Sequence, residues 1–202
     1  GPAGAPAASS TQDIFAQAHR LYAEGRYRES GELCESILVS GSERTDVLLM
    51  MGACCHQQKD YHGSVRYNQR AIQVDPNFAE AYGNLANGLR ELGQLDKAIE
   101  LYRRAVALKP NFVDVTNNLA FAHMQRGDLP DAISMYKLTL EIEPRLPDAQ
   151  CNLGNLLKQS LDLEGAKRCY MMALRLSPGS AIAWNNLASV LKDEGPPPPA
   201  AL

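Results

Sequence analysis

The sequence predicts an all-α solenoid of stacked helix hairpins, and three observations predict it. Pro76, Pro110, Pro144 and Pro178 are each separated by 34 residues. On that period, Ala98, Ala132 and Ala166 share one column, Tyr102, Tyr136 and Tyr170 a second, and Leu85, Leu119, Leu153 and Leu187 a third. Within each period, apolar residues recur at helical spacing in two runs separated by turn residues. A fixed period of this length marks a repeat architecture, in which each hairpin buries its apolar faces only against its neighbours.

The unit at 79–112 shows the layout most clearly. Helix A is predicted at about 79–92 and helix B at about 96–109, with Gly93 supplying the left-handed backbone a helix end often needs. Within "DKAIELYRRAVAL", Ala98, Tyr102, Ala105 and Val106 make one apolar stripe, and the two alanines let paired helices approach closely. Ala71 and Ala173 share the Ala105 column, with Thr139 as its small exception. Pro110, Pro144 and Pro178 follow helix B, whereas Pro130 and Pro147 fall in first turns, where a missing N–H costs little.

The same register gives units at about 11–44, 45–78, 79–112, 113–146 and 147–180, then a truncated sixth at 181–202. The first is degenerate: Ala18, Leu21 and Gly25 fit, but Ser42 stands where the proline belongs. Lys59 and Leu161 occupy the turn-glycine column, which requires a different cap or local strain. Trp184 falls on the Tyr82 column and is expected in the core between helices A and B. In the tail "GPPPPAAL", Gly195 falls on the turn column and Ala200 on the Ala98 column, so it reads as the start of a sixth helix B. The opening "GPAGAPAASS" is small-residue and Pro/Gly-rich. Disorder is expected before about Ser10, and Gly1-Pro2 matches a protease-cleavage scar.

Bulk properties exclude several functions. A net charge of −3 and a pI near 5.8 give no basis for a nucleic-acid or anionic-membrane partner. No apolar run approaches the roughly 20 residues of a membrane span, and no secretory signal is visible. Cys34, Cys54, Cys55, Cys151 and Cys169 form no CxxC and no disulfide framework, so reduced structural thiols are expected. Cys54, Cys55 and His56 with His62 offer metal donors, but Cys55 lies on a core column and no second ligand pair exists; no metal is expected. His123 replaces the usual Leu or Tyr of its column and reads as a packed histidine. There is no G-x-S-x-G, no phosphate-binding glycine loop and no HExxH, so no catalytic residue is assigned to this chain.

The pattern resembles the tetratricopeptide repeat over nearly the whole ordered chain. That resemblance implies a right-handed superhelix whose A helices line a concave face. One residue type on those helices is unexpected: Asn84, Asn118, Asn152 and Asn186 share a column beside the packing leucines, with Asn87 and Asn155 one turn further on. Asparagine costs roughly 0.5 kcal/mol or more relative to alanine inside a helix, so its recurrence needs a reason. Its amide has one acceptor oxygen and a two-hydrogen donor, and so can bond a peptide N–H and C=O without reading a side chain. Adjacent helices lie roughly 8–10 Å apart and an extended strand advances about 3.3 Å per residue, so one rung would meet about every third residue. The competing role is inter-helix or capping hydrogen bonding, common for asparagine. Met50 and Ala16 occupy the column in the first two units, so the ladder is expected to stop there.

The stretches "PNFAEAYGNLANGLRELGQLDKAIELYRRAVALKPNF" and "LPDAQCNLGNLLKQSLDLEGAKRCYMMALRLSP" resemble the N-terminal repeats of the O-linked N-acetylglucosamine (O-GlcNAc) transferase family, as does "AHRLYAEGRY". The resemblance implies a concave asparagine ladder at Asn84, Asn118, Asn152 and Asn186, contacting extended segments of protein substrates. It also implies a C-terminal glycosyltransferase domain using UDP-GlcNAc, no cofactor within these repeats, and a cytoplasmic and nuclear location. The family often dimerises near the repeat begun at 181, where this chain carries Pro196 to Pro199, which puts a dimer of this segment in doubt. Peptide O-fucosyltransferases have similar repeats, and a scaffold without a peptide groove is a further reading. A co-chaperone clamp needs inner-face Lys/Arg to pair a carboxylate. Here Glu80, Asp114 and Asp148 sit in first turns, and Arg90, Lys158 and Lys192 lie near the other end of helix A.

Overall fold

The computed structural model describes residues 10–41 and 44–193, and eleven α-helices occupy them. Residues 1–109 form one compact unit and 110–202 a second. The first holds α1 (Thr11–Ala23), α2 (Tyr27–Val39), α3 (Thr45–Gln57), α4 (Tyr61–Val74), α5 (Ala79–Glu91) and α6 (Leu95–Leu108). The second holds α7 (Val113–Arg126), α8 (Leu129–Ile142), α9 (Pro147–Gln159), α10 (Leu163–Leu176) and α11 (Ala181–Asp193). In both, each odd-numbered helix up to α9 packs on the next even-numbered one as an antiparallel hairpin, the expected building block of an all-α solenoid. The A helices also touch one another, α3 on α5 and α9 on α11.

The hairpin turn is the same in the five repeats whose turns lie among the described residues. Gly25, Gly93 and Gly127 have φ of 77°, 74° and 86°, and Lys59 and Leu161 adopt the same left-handed state at 62° and 65°. The following N–H then reaches five residues back, from Arg26 to the Leu21 carbonyl, Asp60 to Cys55, Gln94 to Leu89, Asp128 to His123 and Asp162 to Leu157, at 2.9–3.0 Å. This pairing closes open carbonyls at the helix end. Lys59 and Leu161 therefore keep the glycine cap and carry its strain, rather than adopting another cap.

The core follows the columns. Ala98, Ala132 and Ala166 are fully buried where helices A and B cross, as are Tyr102, Tyr136 and Tyr170. In the first two repeats Ser30 and Ser64 take the alanine column, and the buried Ser30 hydroxyl donates to the Ala18 carbonyl at 2.8 Å. Leu85, Leu119 and Leu153 are buried as expected, and Leu187 is half-buried.

Two expectations need correction. Trp184 is not a core residue: it is 55% exposed, and its indole N–H donates to the Pro178 carbonyl at 3.0 Å. Tyr82 makes the equivalent bond, hydroxyl to the Pro76 carbonyl at 3.1 Å. Both side chains tie the start of helix A to the preceding turn through a polar tip; Tyr82 is half-buried, with the Arg104 guanidinium over its ring, and Trp184 lies along the surface. In the second, Cys54 rather than Cys55 is the core thiol, and Cys55 is half-buried. The expectations for residues 1–9, Ser42 and the tail from Glu194 lie outside the described residues. Among the described residues no helix is long and apolar enough to cross a membrane.

Candidate peptide-binding face

Because Leu85, Leu119 and Leu153 point into the core, the preceding asparagine on each A helix is rotated to the edge of the buried stripe. Asn84, Asn118, Asn152 and Asn186 are accordingly all half-buried. They are less open than a ladder drawn on an exposed face would be. In the 110–202 unit one of them, Asn152, engages a phenol of a B helix, as does Asn155 one turn further on. Asn152 Nδ2 donates to the Tyr136 hydroxyl at 3.1 Å. The Tyr170 hydroxyl donates to Asn155 Oδ1 at 2.7 Å, and Asn186 Nδ2 donates to the same oxygen at 2.9 Å. This last bond joins α9 to α11 through two of the asparagines themselves. Among the described residues, Oδ1 of Asn152 and Oδ1 of Asn186 have no intramolecular partner. A polar recess of about 310 Å³ lies beside Asn152, lined also by Asp148, Cys151, Asn155, Ser180 and Ile182.

The 1–109 unit repeats the arrangement once, where the Tyr102 hydroxyl donates to Asn87 Oδ1 at 2.5 Å. Asn84 makes no side-chain hydrogen bond among the described residues and lines two recesses running toward α3 and α1. At the ladder column of α3, Met50 is buried, and Ala16 on α1 is exposed. Neither offers a polar group there.

The tyrosine column thus does more than fill the core, because its hydroxyls reach the edge of the A-helix face from within. Burial pushes Tyr102, Tyr136 and Tyr170 up to about 12, so all three phenols stay protonated at neutral pH and donate or accept as neutral groups. The residue spacing alone does not reveal these bonds, because they depend on how far helix B is rotated against helix A.

Arg90 and Lys158 on the A helices, and Lys109 just after α6, are engaged in side-chain contacts. Lys109 pairs with Glu80 at 2.8 Å, Arg90 with Glu91 at 2.8 Å, and Lys158 donates to Ser189 at 2.6 Å. A clamp for a terminal carboxylate is not assembled from them. His123 is 1% exposed, with Nδ1 3.1 Å from Asp128 Oδ2 and 3.7 Å from Asp131 Oδ2. This is the one set of three His, Cys, Asp or Glu donors gathered within ligand distance among the described residues. His123 holds the Asp128 carboxyl below its usual range, and Arg126, which also donates to it, acts in the same direction. His123 is the packed histidine its column predicts, with a carboxylate at its polar edge. His62 is exposed and His56 half-buried, and the Cys54–His62 stretch gathers no such set.

Tetratricopeptide-repeat family profiles match residues 67–100, 86–125, 113–142 and 147–180, together more than half of the 202 residues. The chain belongs to the tetratricopeptide-repeat family. Over 88 residues, 44% of the chain, this tetratricopeptide array is 40% identical to a probable UDP-N-acetylglucosamine–peptide N-acetylglucosaminyltransferase, SEC, of Arabidopsis thaliana. Over 81 residues, 40% of the chain, it is 41% identical to the UDP-N-acetylglucosamine–peptide N-acetylglucosaminyltransferase of Caenorhabditis elegans. The aligned stretches span only 9% and 7% of those two proteins. Among solved structures, a thermophilic tetratricopeptide protein of Thermus thermophilus superposes with a TM-score of 0.69 at 19% identity, covering 91% of this chain and 100% of that one. YrrB, a tetratricopeptide protein with an unusual peptide-binding site, gives 0.69 at 18%, covering 87% and 91%. PilF of Pseudomonas aeruginosa gives 0.82 at 15%, covering 91% and 85%. At these identities the structural likeness is one of fold.

Proposed function

We propose that this array is the substrate-binding arm of a nucleocytoplasmic protein O-GlcNAc transferase. It binds extended segments of protein substrates by their backbone and presents them to a glycosyltransferase domain, outside this chain, that uses UDP-GlcNAc. The observation that carries the reading is the amide column of the A helices. Asn118, Asn152, Asn155 and Asn186 supply it in the 110–202 unit, and Asn84 and Asn87 in the 1–109 unit. Asn152, Asn155 and Asn87 are each gripped by a buried phenol, so their amides are held in place before a ligand arrives, which lowers the entropy cost of binding. The identity to two peptide N-acetylglucosaminyltransferases supports the assignment of the arm to that class of enzyme.

The test is the variant with Asn84, Asn118, Asn152 and Asn186 all changed to Ala. Each direct peptide hydrogen bond is worth about 0.5–1.5 kcal/mol net, so the four together should weaken binding of extended peptides at least tenfold, about 1.4 kcal/mol. The loss should be similar for peptides of unrelated sequence. Fluorescence anisotropy of labelled peptides reads the affinity, and circular dichroism reports the fold. A folded variant with unchanged affinity refutes the reading, and an unfolded one assigns the asparagines a structural role.

A further inference from the structure

The second repeat departs from its successors at one buried position. Where the third, fourth and fifth carry Tyr102, Tyr136 and Tyr170, it carries Asn68, fully buried. Asn68 Nδ2 donates to the Ser64 carbonyl at 2.8 Å, while its Oδ1 has no partner. Gly52 faces Asn68 as Gly154 faces Tyr170: a Cβ on the former would fall 2.3 Å from Asn68 Nδ2, and on the latter 2.7 Å from the Tyr170 ring. Tyr102 and Tyr170 each place a hydroxyl on the asparagine fifteen positions earlier. Asn68 is too short for that reach, and fifteen positions before it stands Ala53.

Ala53, at the position where the Tyr102 and Tyr170 hydroxyls meet an asparagine, borders open space. A recess of about 180 Å³ has Gly52, Ala53, His56, Ser64 and Asn84 in its lining. An apolar recess of about 200 Å³ adjoins it, bounded by Phe15, Leu49 and Met50 and sharing Tyr22, Ala53 and Asn84 with the first. Cavities of about 150 Å³ accept a benzene ring, so either is large enough for an aromatic side chain. The polar end carries an unsatisfied group, since the Asn84 amide, which lines both recesses, makes no side-chain hydrogen bond among the described residues. A hydroxyl both donates and accepts, and so suits an amide that offers an acceptor oxygen and a donor NH₂.

We propose that this pair of recesses is a pocket for one tyrosyl side chain of a bound peptide, with its ring against Phe15, Leu49 and Met50 and its hydroxyl at Asn84. The proposal rests on the backbone-binding reading and adds to it a side-chain preference at one position. A ligand phenol then supplies from outside the group that α6, α8 and α10 supply from within.

Two probes test it: p-cresol, followed by NMR shifts of the protein, and Gly/Ser-rich peptides with a single central Tyr, Phe or Ala, followed by anisotropy. The Tyr peptide should bind at least tenfold tighter than the Ala peptide, with Phe between them. Asn68→Tyr fills the recess from helix B, and Ala53→Phe fills it from helix A, where Phe121 stands at the same column two repeats on. Each, shown folded by its melting curve, should erase both the preference and the p-cresol shifts; if one fails to fold, the other decides. Equal affinity of wild type for the Tyr and Ala peptides with no p-cresol shifts overturns the pocket and leaves the backbone reading standing. Loss of all peptide binding with p-cresol shifts retained does the reverse. A Tyr preference that survives in a folded, filled variant overturns the location.

Discussion

Replacing Leu161 with glycine should stabilise the protein although it removes a large apolar side chain. Leu161 holds φ at 65° and is 84% exposed, so the substitution gives up almost no buried surface. A non-glycine residue in the left-handed region costs roughly 1–3 kcal/mol. Glycine restores roughly 0.5–1 kcal/mol of that cost by its greater freedom in the unfolded chain. The net gain is about 1 kcal/mol, or roughly 2–8 °C in melting temperature for units of this size. Lys59, exposed with φ at 62°, should respond alike. The reciprocal change, Gly127→Ala, puts a Cβ where nothing lies within 4 Å, so only its φ of 86° opposes the substitution. It should lose about 1 kcal/mol. Urea and thermal unfolding followed by circular dichroism give all three values. A lower midpoint for Leu161→Gly, or an unchanged one for Gly127→Ala, would refute the view that the turn dictates left-handed backbone irrespective of residue.

Three further outcomes follow from the packing. Tyr170→Phe removes the donor to Asn155 and should cost about 1 kcal/mol in urea midpoint with the fold retained; no change would mean that the bond contributes nothing. Gly154→Ala sets a Cβ 2.7 Å from the Tyr170 ring, and overpacking of about 1–3 kcal/mol should outweigh the roughly 1 kcal/mol gained in helix propensity; a higher melting temperature would contradict that. Cys34 is pushed up to about 12 by burial, from an ordinary value of 9.0. The unfolded chain therefore loses this proton first, and stability should fall progressively as pH rises from about 9 toward 12, with buried Tyr102, Tyr136 and Tyr170 adding to the decline. Urea midpoints that stay level between pH 7 and 10.5 would count against it.

The period made the architecture legible, because residues serving the same contact in successive hairpins recur 34 positions apart. Helix bounds predicted at 79–92 and 96–109 fall within a residue of Ala79–Glu91 and Leu95–Leu108. The same averaging hides individual departures. Trp184 shares a column with Tyr82, and column membership alone does not separate a ring packed between helices from one whose polar tip holds the preceding turn. Cys54 and Cys55 differ by one position, about 100° of rotation on a helix, which is finer than a degenerate repeat can fix. Asn68 looks like an ordinary polar exception until the tyrosine column is seen to carry hydroxyls to the A-helix face. The asparagine column itself was visible, but its half-buried setting and its phenol partners depend on how the two helices turn against each other.

The phenol contacts also give the amide row a direction. Asn152 turns its NH₂ inward to Tyr136, whereas Asn155, one turn along α9, turns its oxygen inward to Tyr170 and Asn186. What remains outward is an acceptor at 152 and a donor at 155, side by side on one helix face. A strand laid along that pair must offer its N–H to the first and its carbonyl to the second. Reversing the strand exchanges those groups, so under the backbone binding proposed above the row distinguishes a peptide entering by its amino end from the same peptide entering by its carboxyl end.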